Sequence, residues 1–446
     1  MQLTPEQKQF IHVHEREDVR ETALRFKRDD MPLLLAQIAG RQMTEKKIPS
    51  WYAERDIVYP PHLSLEQSSS EFTARYKASL VLSGDHSLPG TAATAPTNTG
   101  EVANFGSIEC ENEIFADLTG GMGVDFSFLS PYFRKAVYVE KNSDLCRIAE
   151  HNFSRLGLKN VSIHCTGAEA FLKETAPFDL IYLDPARRDD SGQKVFRIED
   201  CSPDILEIKP LLLEKADKVM VKYSPMLDIS LAVKSLGCVS EVHVVSVDNE
   251  CKELLFLLSK TVLQKTEREP LPLPARLTLS PNIPANPMAS PRFIAVNLKR
   301  SGGREHFSFT MAQEQNAVVS FAGEPGRYVF EPNASILKAG AFKLVAAAYD
   351  LQKLHTNSHL YTSNKLVEDF PGRIFEVDTF FVPNKKNIKD FLQETKKANI
   401  TVRNFPMSVV EIRRKTGLKD GGDIYLFATT LSDKRKVWIV CRRMFS

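Results

Sequence analysis

Residues 115–125 read Phe-Ala-Asp-Leu-Thr-Gly-Gly-Met-Gly-Val-Asp, and this stretch decides the fold. An apolar run leads into Asp117, glycines follow at 120, 121 and 123, and a helical pattern starts at Val124. Glycine permits φ > 0 and lets a ligand approach the backbone closely, while a helix start presents free N–H groups to it. The spacing departs from a dinucleotide fingerprint, because Phe126 stands where the third glycine of G-x-G-x-x-G should be. No G-K-[ST] closes the turn, so a Walker A loop is excluded. Asp117 discriminates further. A carboxylate at the loop mouth does nothing for an anion but favours a cation. Glu140 ends the next apolar run, 23 residues on, where a carboxylate accepts ribose hydroxyls. A ligand carrying a sulfonium, an ammonium and a ribose satisfies both acids.

Outward from this loop, short apolar runs alternate with helical patterns from Ile108 to about Lys265. The runs are IFADL, AVYVE, VSIHC, FDLIYLD, KVMVKY, VHVVSV and LLFLL, an α/β alternation that predicts a mostly parallel sheet covered by helices. The last two runs leave no room for a helix between them and predict an antiparallel hairpin at the sheet edge.

Asp117-x-x-x-Gly121-x-Gly123 and Glu140 resemble the first motif and the ribose acid of class I S-adenosylmethionine-dependent methyltransferases. The resemblance implies a Rossmann-like sheet, S-adenosyl-L-methionine as cofactor, and Asp117, Thr119, Gly120, Gly121, Met122 and Gly123 around its methionine portion. The family's adenine-contacting aspartate is not matched: Gly167 occupies its register, and Glu169, two positions on, is the nearest acid.

The fourth run ends in Asp184-Pro185-Ala186-Arg187-Arg188, at the sheet edge where ligands bind in open α/β folds. It resembles the [D/N]-P-P-[Y/F] motif of amino-directed methyltransferases, with Ala186 for the second proline and Arg187 for the aromatic. By that resemblance Asp184 and the Pro185 carbonyl orient an exocyclic amine. Arg187 stacks on a base or grips a phosphate, or else pairs structurally with Asp189, Asp190 or Glu199. A second constellation carries different chemistry. Lys77, Asp184, Lys222 and one of Glu250 or Glu253 resemble the Lys-Asp-Lys-Glu set of ribose 2′-hydroxyl methyltransferases, in which a lysine of depressed pKa deprotonates the hydroxyl. The segment Leu65–Val81, with Ser69, Thr73, Tyr76 and Lys77, reads either as a capped surface helix or as a lid over the cofactor.

The expected organisation is a helical segment over 1–82, a Gly/Ala/Thr/Pro-rich linker over 83–107, the methyltransferase domain over 108–265, a β-rich connecting segment over 266–327, and a C-terminal α+β module over 328–446. Proline-rich residues 267–291 mark the boundary before a hairpin turned on Ser301–Gly303. The patterns at 328–340, His359–Ser363 and Phe370–Arg373 resemble the THUMP-like domain found behind bacterial methyltransferase domains. THUMP domains proper bind RNA, which implies tRNA or rRNA as partner.

Charge supports that direction. The 446 residues carry a net +2, yet residues 383–446 hold 15 Lys and Arg against 6 Asp and Glu. Such asymmetry suits a surface facing nucleic acid, or is a solvated face. Seven cysteines, none in a C-x-x-C pair, argue against a disulfide framework and a zinc knuckle. The charged N-terminus has no apolar signal core and no apolar run approaches the ~20 residues of a membrane span, so a cytoplasmic, metal-independent protein is expected. Its oligomeric state is open. The expected function is methylation of a base nitrogen in tRNA or rRNA. The alternatives are ribose 2′-hydroxyl methylation, a protein or small-molecule substrate, or a non-catalytic RNA-binding protein that retains the cofactor fold.

Overall fold

A computed structural model describes residues 3–60, 67–82, 113–186, 198–260 and 290–445. The expected linker at 83–107 and most of the proline-rich boundary lie outside these residues. The chain forms two compact units, the first comprising 1–240, 252–264 and 300–302 and the second 241–251, 265–299 and 303–446.

Unit 1 opens with four helices: α1 (Pro5–His14), α2 (Val19–Arg25), α3 (Met31–Lys47) and α4 (Pro49–Ala53). Thr4 starts α1 through a capping box with Gln7, and Asp18 caps α2 by accepting from Arg20 and Glu21 N–H. α5 (Glu71–Leu82) follows. These helices share a core with the glycine loop: Ile48, Trp51, Ile57, Tyr59 and Ala74 pack with Met122 and Val124.

Two buried side-chain amides, one on α3 and one on the helix Ser143–Arg155, fix the segment 57–60 between them. Gln37 accepts from Tyr59 N–H at 2.8 Å and donates to Tyr59 C=O at 2.8 Å. Asn152 does the same for Val58, 2.9 Å each way. Each amide supplies a donor and an acceptor where a neighbouring strand would. Gly40 lets this happen, since a Cβ there would lie 2.3 Å from the Tyr59 ring.

The sheet of unit 1 runs β3 (Val161–Cys165), β2 (Lys135–Glu140), β1 (Ile114–Asp117), β4 (Phe178–Leu183), β5 (Ala216–Tyr223) and β7 (Glu250–Ser259). β1 to β5 are parallel and β7 is antiparallel to β5. All seven apolar runs form strands. The connecting helices are α6 (Val124–Leu129), α7 (Ser143–Arg155), α8 (Ala168–Glu174), α9 (Ile205–Lys215) and α10 (Ile229–Leu236). Asp248 and Asn249, at φ 47 and 66, turn the chain between β6 (Val239–Val247) and β7, the left-handed pair that a two-residue hairpin loop requires.

In unit 2, β6 is not a terminal strand: it pairs in parallel with β8 (Arg292–Leu298), which forms an antiparallel hairpin with β9 (Arg304–Thr310) through Gly302 and Gly303 at positive φ. A seven-stranded sheet follows in the order β11 (Gln352–Lys353), β12 (Tyr361–Ser363), β10 (Tyr328–Pro332), β13 (Gly372–Phe381), β16 (Lys436–Arg443), β15 (Ile424–Thr430) and β14 (Asn399–Arg403). The helices are α11 (Met311–Asn316), α12 (Ala334–Ala339), α13 (Leu344–Ala348), α14 (Lys385–Glu394) and α15 (Val409–Thr416). Glu331, almost wholly buried, is held by Arg373 and Arg403. Arg413 pairs with Asp420 and with the carbonyls of Ala398 and Leu418. Two of the C-terminal cations in the sequence pattern, Arg403 and Arg413, are therefore structural. Among the described residues no helix is long and apolar enough to cross a membrane.

Replacing Asn152 by Leu keeps the branch at Cγ but strips Val58 of both backbone partners. Each buried unpaired group costs about 1–3 kcal/mol, so urea denaturation should show a loss of about 2–6 kcal/mol, with the m-value unchanged.

Candidate active site

The loop between β1 and α6 is shaped by three glycines with three different duties. Gly121 and Gly123 sit at φ 54 and 84, the left-handed region that glycine enters without Cβ strain. A Cβ on Gly120 would lie 2.1 Å from the Tyr138 ring, and one on Gly123 2.6 Å from Phe153, whereas at Gly121 the nearest atom is 3.7 Å away. Gly120 and Gly123 therefore admit aromatic packing beneath the loop, and Gly121 faces open space. Tyr138 donates to Gly121 C=O at 2.5 Å. Met122 has a buried side chain among Trp51, Tyr59 and Val124, so it lends the loop its backbone while its side chain joins the core.

Asp117 is buried and accepts from Thr119 N–H at 3.0 Å. Burial raises its pKa well above the ordinary carboxylate value, and the charges of Asp125, Asp184 and Glu140 push it the same way against the Thr119 hydrogen bond. Thr119 also accepts from Asp184 N–H at 2.6 Å, tying the loop to the end of β4. Glu140 accepts from Gly121 N–H at 2.9 Å and Asn142 N–H at 2.8 Å; each oxygen keeps a lone pair for a further donor. Glu169 is turned elsewhere, pairing with Lys173 at 2.8 Å one turn along α8 in solvent. Ala186 exchanges two backbone hydrogen bonds with Ser202, which anchors the chain just after Asp184 and buried Pro185. Arg187 lies outside the described residues.

Asp184 and four charged groups behind it meet in one cluster. Lys222 donates to Asp184 at 2.5 Å and to Ser69 at 3.1 Å, and stands 3.7 Å from Asp125. Lys77, with a side chain 0% exposed, lies 2.7 Å from Glu253 and 3.1 Å from Asp125. Asp125 also accepts from Tyr182 and from Ser69, both at 2.7 Å. The Lys77–Asp184–Lys222–Glu253 set of the sequence pattern is thus brought together, with Glu253 and not Glu250 as its acid. Two residues of the cluster, Asp125 and Tyr182, escaped sequence reading. A carboxylate in a helix's first turn reads as favourable to the helix dipole, and Asp125 gave no other signal. Ser69 and Lys77 sit in the buried interior and not on an open lid.

The extra carboxylate changes the chemistry expected of Lys222. Burial alone would depress its pKa, but Asp184, Asp125 and Glu253 outweigh burial and raise it above the usual lysine value. Lys222 is therefore not the depressed lysine of the ribose-directed reading. Burial likewise works against an ionised Asp125, yet Lys77 and Lys222, with Tyr182 and Ser69, hold it at about 2. Two ammonium groups face three carboxylates, and Asp117 adds a fourth acid nearby. The donor set suits a cationic ligand, which would relieve the excess. Among the described residues no cluster of His, Cys, Asp or Glu is arranged to hold a metal.

Gly120→Ala and Gly121→Ala should separate packing from ligand approach. The first forces a Cβ into Tyr138 and should cost about 1–3 kcal/mol in thermal or urea unfolding. The second should cost about 1 kcal/mol and weaken S-adenosylmethionine binding in calorimetry. Lys77→Met should destabilise by about 3–5 kcal/mol by orphaning buried acids, and adding Glu253→Leu should restore part of that loss in the same assay.

Comparison with known proteins agrees with this geometry. Residues 92–190 match the protein-L-isoaspartate (D-aspartate) O-methyltransferase family, 328–371 a ferredoxin-like domain, and 372–443 the THUMP domain-like family. The whole chain superposes on the whole of a crystal structure from Porphyromonas gingivalis W83, described provisionally as a methyltransferase, at 28% identity and TM-score 0.78. A third of the chain aligns with 56% of an S-adenosylmethionine-dependent methyltransferase from Agrobacterium tumefaciens (18% identity, TM-score 0.27) and with 88% of an rRNA methylase from Streptococcus thermophilus (17%, TM-score 0.26). No curated protein matches the sequence. These matches are those of a class I S-adenosylmethionine-dependent methyltransferase with a C-terminal THUMP-like domain.

Proposed function

We propose that the protein methylates a base nitrogen in a structured RNA, tRNA or rRNA. The observation that carries the choice of atom is the Lys222–Asp184 pair, 2.5 Å apart with Lys222 kept protonated by three carboxylates. A protonated ammonium cannot accept a proton from a ribose hydroxyl. An exocyclic or ring nitrogen needs no prior deprotonation by a strong base. It needs a hydrogen-bond acceptor that orients its lone pair, and a route for the proton released afterwards. Asp184, 35% exposed beside Lys222 at 11%, offers its second oxygen for both, and the Pro185 carbonyl is the second acceptor.

S-adenosyl-L-methionine supplies a methyl group on a sulfonium for in-line displacement. The residues that would hold it are Asp117 for the ammonium, the backbone of Thr119–Gly123 for the methionine portion, and Glu140 for the ribose; Glu169 would reach the adenine only by leaving Lys173. The protein's task is then to position the nucleophile, where correct geometry supplies most of the acceleration. Lys222 holds Asp184 in place. Arg187 would meet the base or its phosphate. RNA as substrate is supported by the THUMP-like match and by the basic excess of residues 383–446.

A second reading, ribose 2′-hydroxyl methylation, is favoured by one observation, the assembly of Lys77, Asp184, Lys222 and Glu253 in one cluster. The pH dependence divides the two. With a protonated Lys222 orienting Asp184, kcat should stay flat between about pH 7 and 9. With Lys222 as base, it should rise roughly tenfold per unit there, because the reactive form is the minor one below a raised pKa.

Labelled S-adenosylmethionine and RNA from cells lacking the enzyme test the reading directly. Nuclease digestion should give a base-methylated nucleoside. An alkali-resistant dinucleotide would mean ribose methylation, and label in base-labile protein esters would remove RNA as substrate. Asp184→Ala should lower kcat about a hundredfold or more while RNA affinity stays within twofold.

A further inference from the structure

α14 (Lys385–Glu394) carries its charges against its own dipole. Lys385 and Lys386 occupy the first turn, Glu394 the last, and no acid stands near the N-terminus nor any base in the last turn. Each such placement costs about 0.3–1 kcal/mol in an exposed helix. The helix has no fully buried residue and rests on the core through the partly buried Ile388, Phe391 and Leu392. Local stability does not explain this arrangement.

The side chains sort by face. Lys385, Ile388, Lys389 and Leu392 recur at intervals of three and four, the helical repeat, and Lys396 follows two residues beyond the helix end. With Gln393, and Lys415 from the last turn of α15, they line a groove of about 420 Å³. No lining residue is acidic, and Asp390 and Glu394 of the same helix are not part of it. All four lysines are exposed. Among the described residues Lys385 and Lys389 have no ion-pair partner. Lys396 Nζ donates to Leu392 C=O at 2.6 Å and Lys415 Nζ lies 3.1 Å from Met407 Sδ, so neither is neutralised. The arginines nearby are engaged differently, on Glu331 and Asp420.

We propose that this groove binds the phosphodiester backbone of an RNA strand, with the four ammonium groups on phosphates and Ile388 and Leu392 as an apolar floor against sugars and bases. The proposal rests on the RNA reading of the function and specifies where the C-terminal domain grips its substrate. Along α14 from Lys385 to Leu392 the groove runs ~10 Å, and Lys396 continues it past the helix end, a reach that more than one phosphate of a strand spans. Lysine–phosphate pairs of this kind add affinity and register without reading sequence.

The test uses the full chain and a labelled transcript of total tRNA, followed by fluorescence anisotropy from 50 to 300 mM salt. One variant replaces Lys385, Lys389, Lys396 and Lys415 by Gln. A control of equal charge replaces Lys386, Lys397, Lys419 and Lys436, all exposed and outside the groove. The groove variant should bind at least tenfold more weakly than the control at 150 mM salt. Its slope of log affinity against log salt should flatten by about 2–3, at roughly 0.7 for each phosphate that is no longer neutralised. Equal weakening of the two variants would overturn the groove and leave only diffuse charge. Circular dichroism of both variants guards against unfolding. The wild type separates the two failures: if it binds and methylates RNA while the groove variant keeps its KM, the groove alone is wrong; if the wild type binds no RNA, the functional reading fails with it.

Discussion

The interior of unit 1 is organised by a charge cluster that no single element could stabilise. Lys77 comes from α5, Asp125 from α6, Asp184 from the end of β4, Lys222 from β5 and Glu253 from β7. Removing Lys77 from its place would leave buried Glu253 without its ion-pair partner, a penalty of several kcal/mol. The cluster therefore demands that the helix before the glycine loop, the helix after it and three strands be in register together. It also sets the electrostatics of the cleft: the carboxylates outnumber the ammonium groups, so Lys222 remains charged and a cationic ligand is welcome. The same arrangement that makes Lys222 a poor base makes it a good clamp for Asp184.

The glycine loop is held from two sides. Beneath it, Tyr138 and Phe153 occupy the space that side chains on Gly120 and Gly123 would need. Beside it, Met122 and Val124 share a core with Trp51, Tyr59 and Ala74 of the N-terminal helices, and Trp51 donates to Ser127 at 3.1 Å. The N-terminal segment thus shapes the glycine loop. Its attachment relies on Gln37 and Asn152, whose amides complete the backbone hydrogen bonds of residues 58 and 59.

Unit 2 divides its cations by role. Arg373 and Arg403 neutralise Glu331 within the sheet, Arg413 ties α15 to the loop after it and to Ala398 just before β14, and Arg435 pairs with Asp433 and Glu324. Guanidinium groups, with their forked donors, serve these structural pairs. The lysines of α14 are left as point charges along a helix whose dipole they oppose. A net charge taken from composition does not distinguish these two populations.

Much of unit 1 was determined by sequence alone, because its signals are local. Apolar runs ending in Asp117, Glu140 and Asp184 specify strands and the edge where ligands sit. Glycines at 120, 121 and 123 specify the loop, and seven runs became seven strands. Paired lysines and acids far apart in sequence could be suspected but not joined: strand-end lysines and glutamates are common, and only burial distinguishes Lys77 and Glu253 from the rest. Asp125 was invisible because a first-turn acid already has a sufficient local reason. Which Glu completes the cluster, where Met122 points and whether Glu169 turns inward all depend on packing between distant elements. The protonation of Lys222 is the clearest case. It is decided by how many carboxylates the tertiary structure brings within a few ångströms, a quantity that has no local counterpart in the chain.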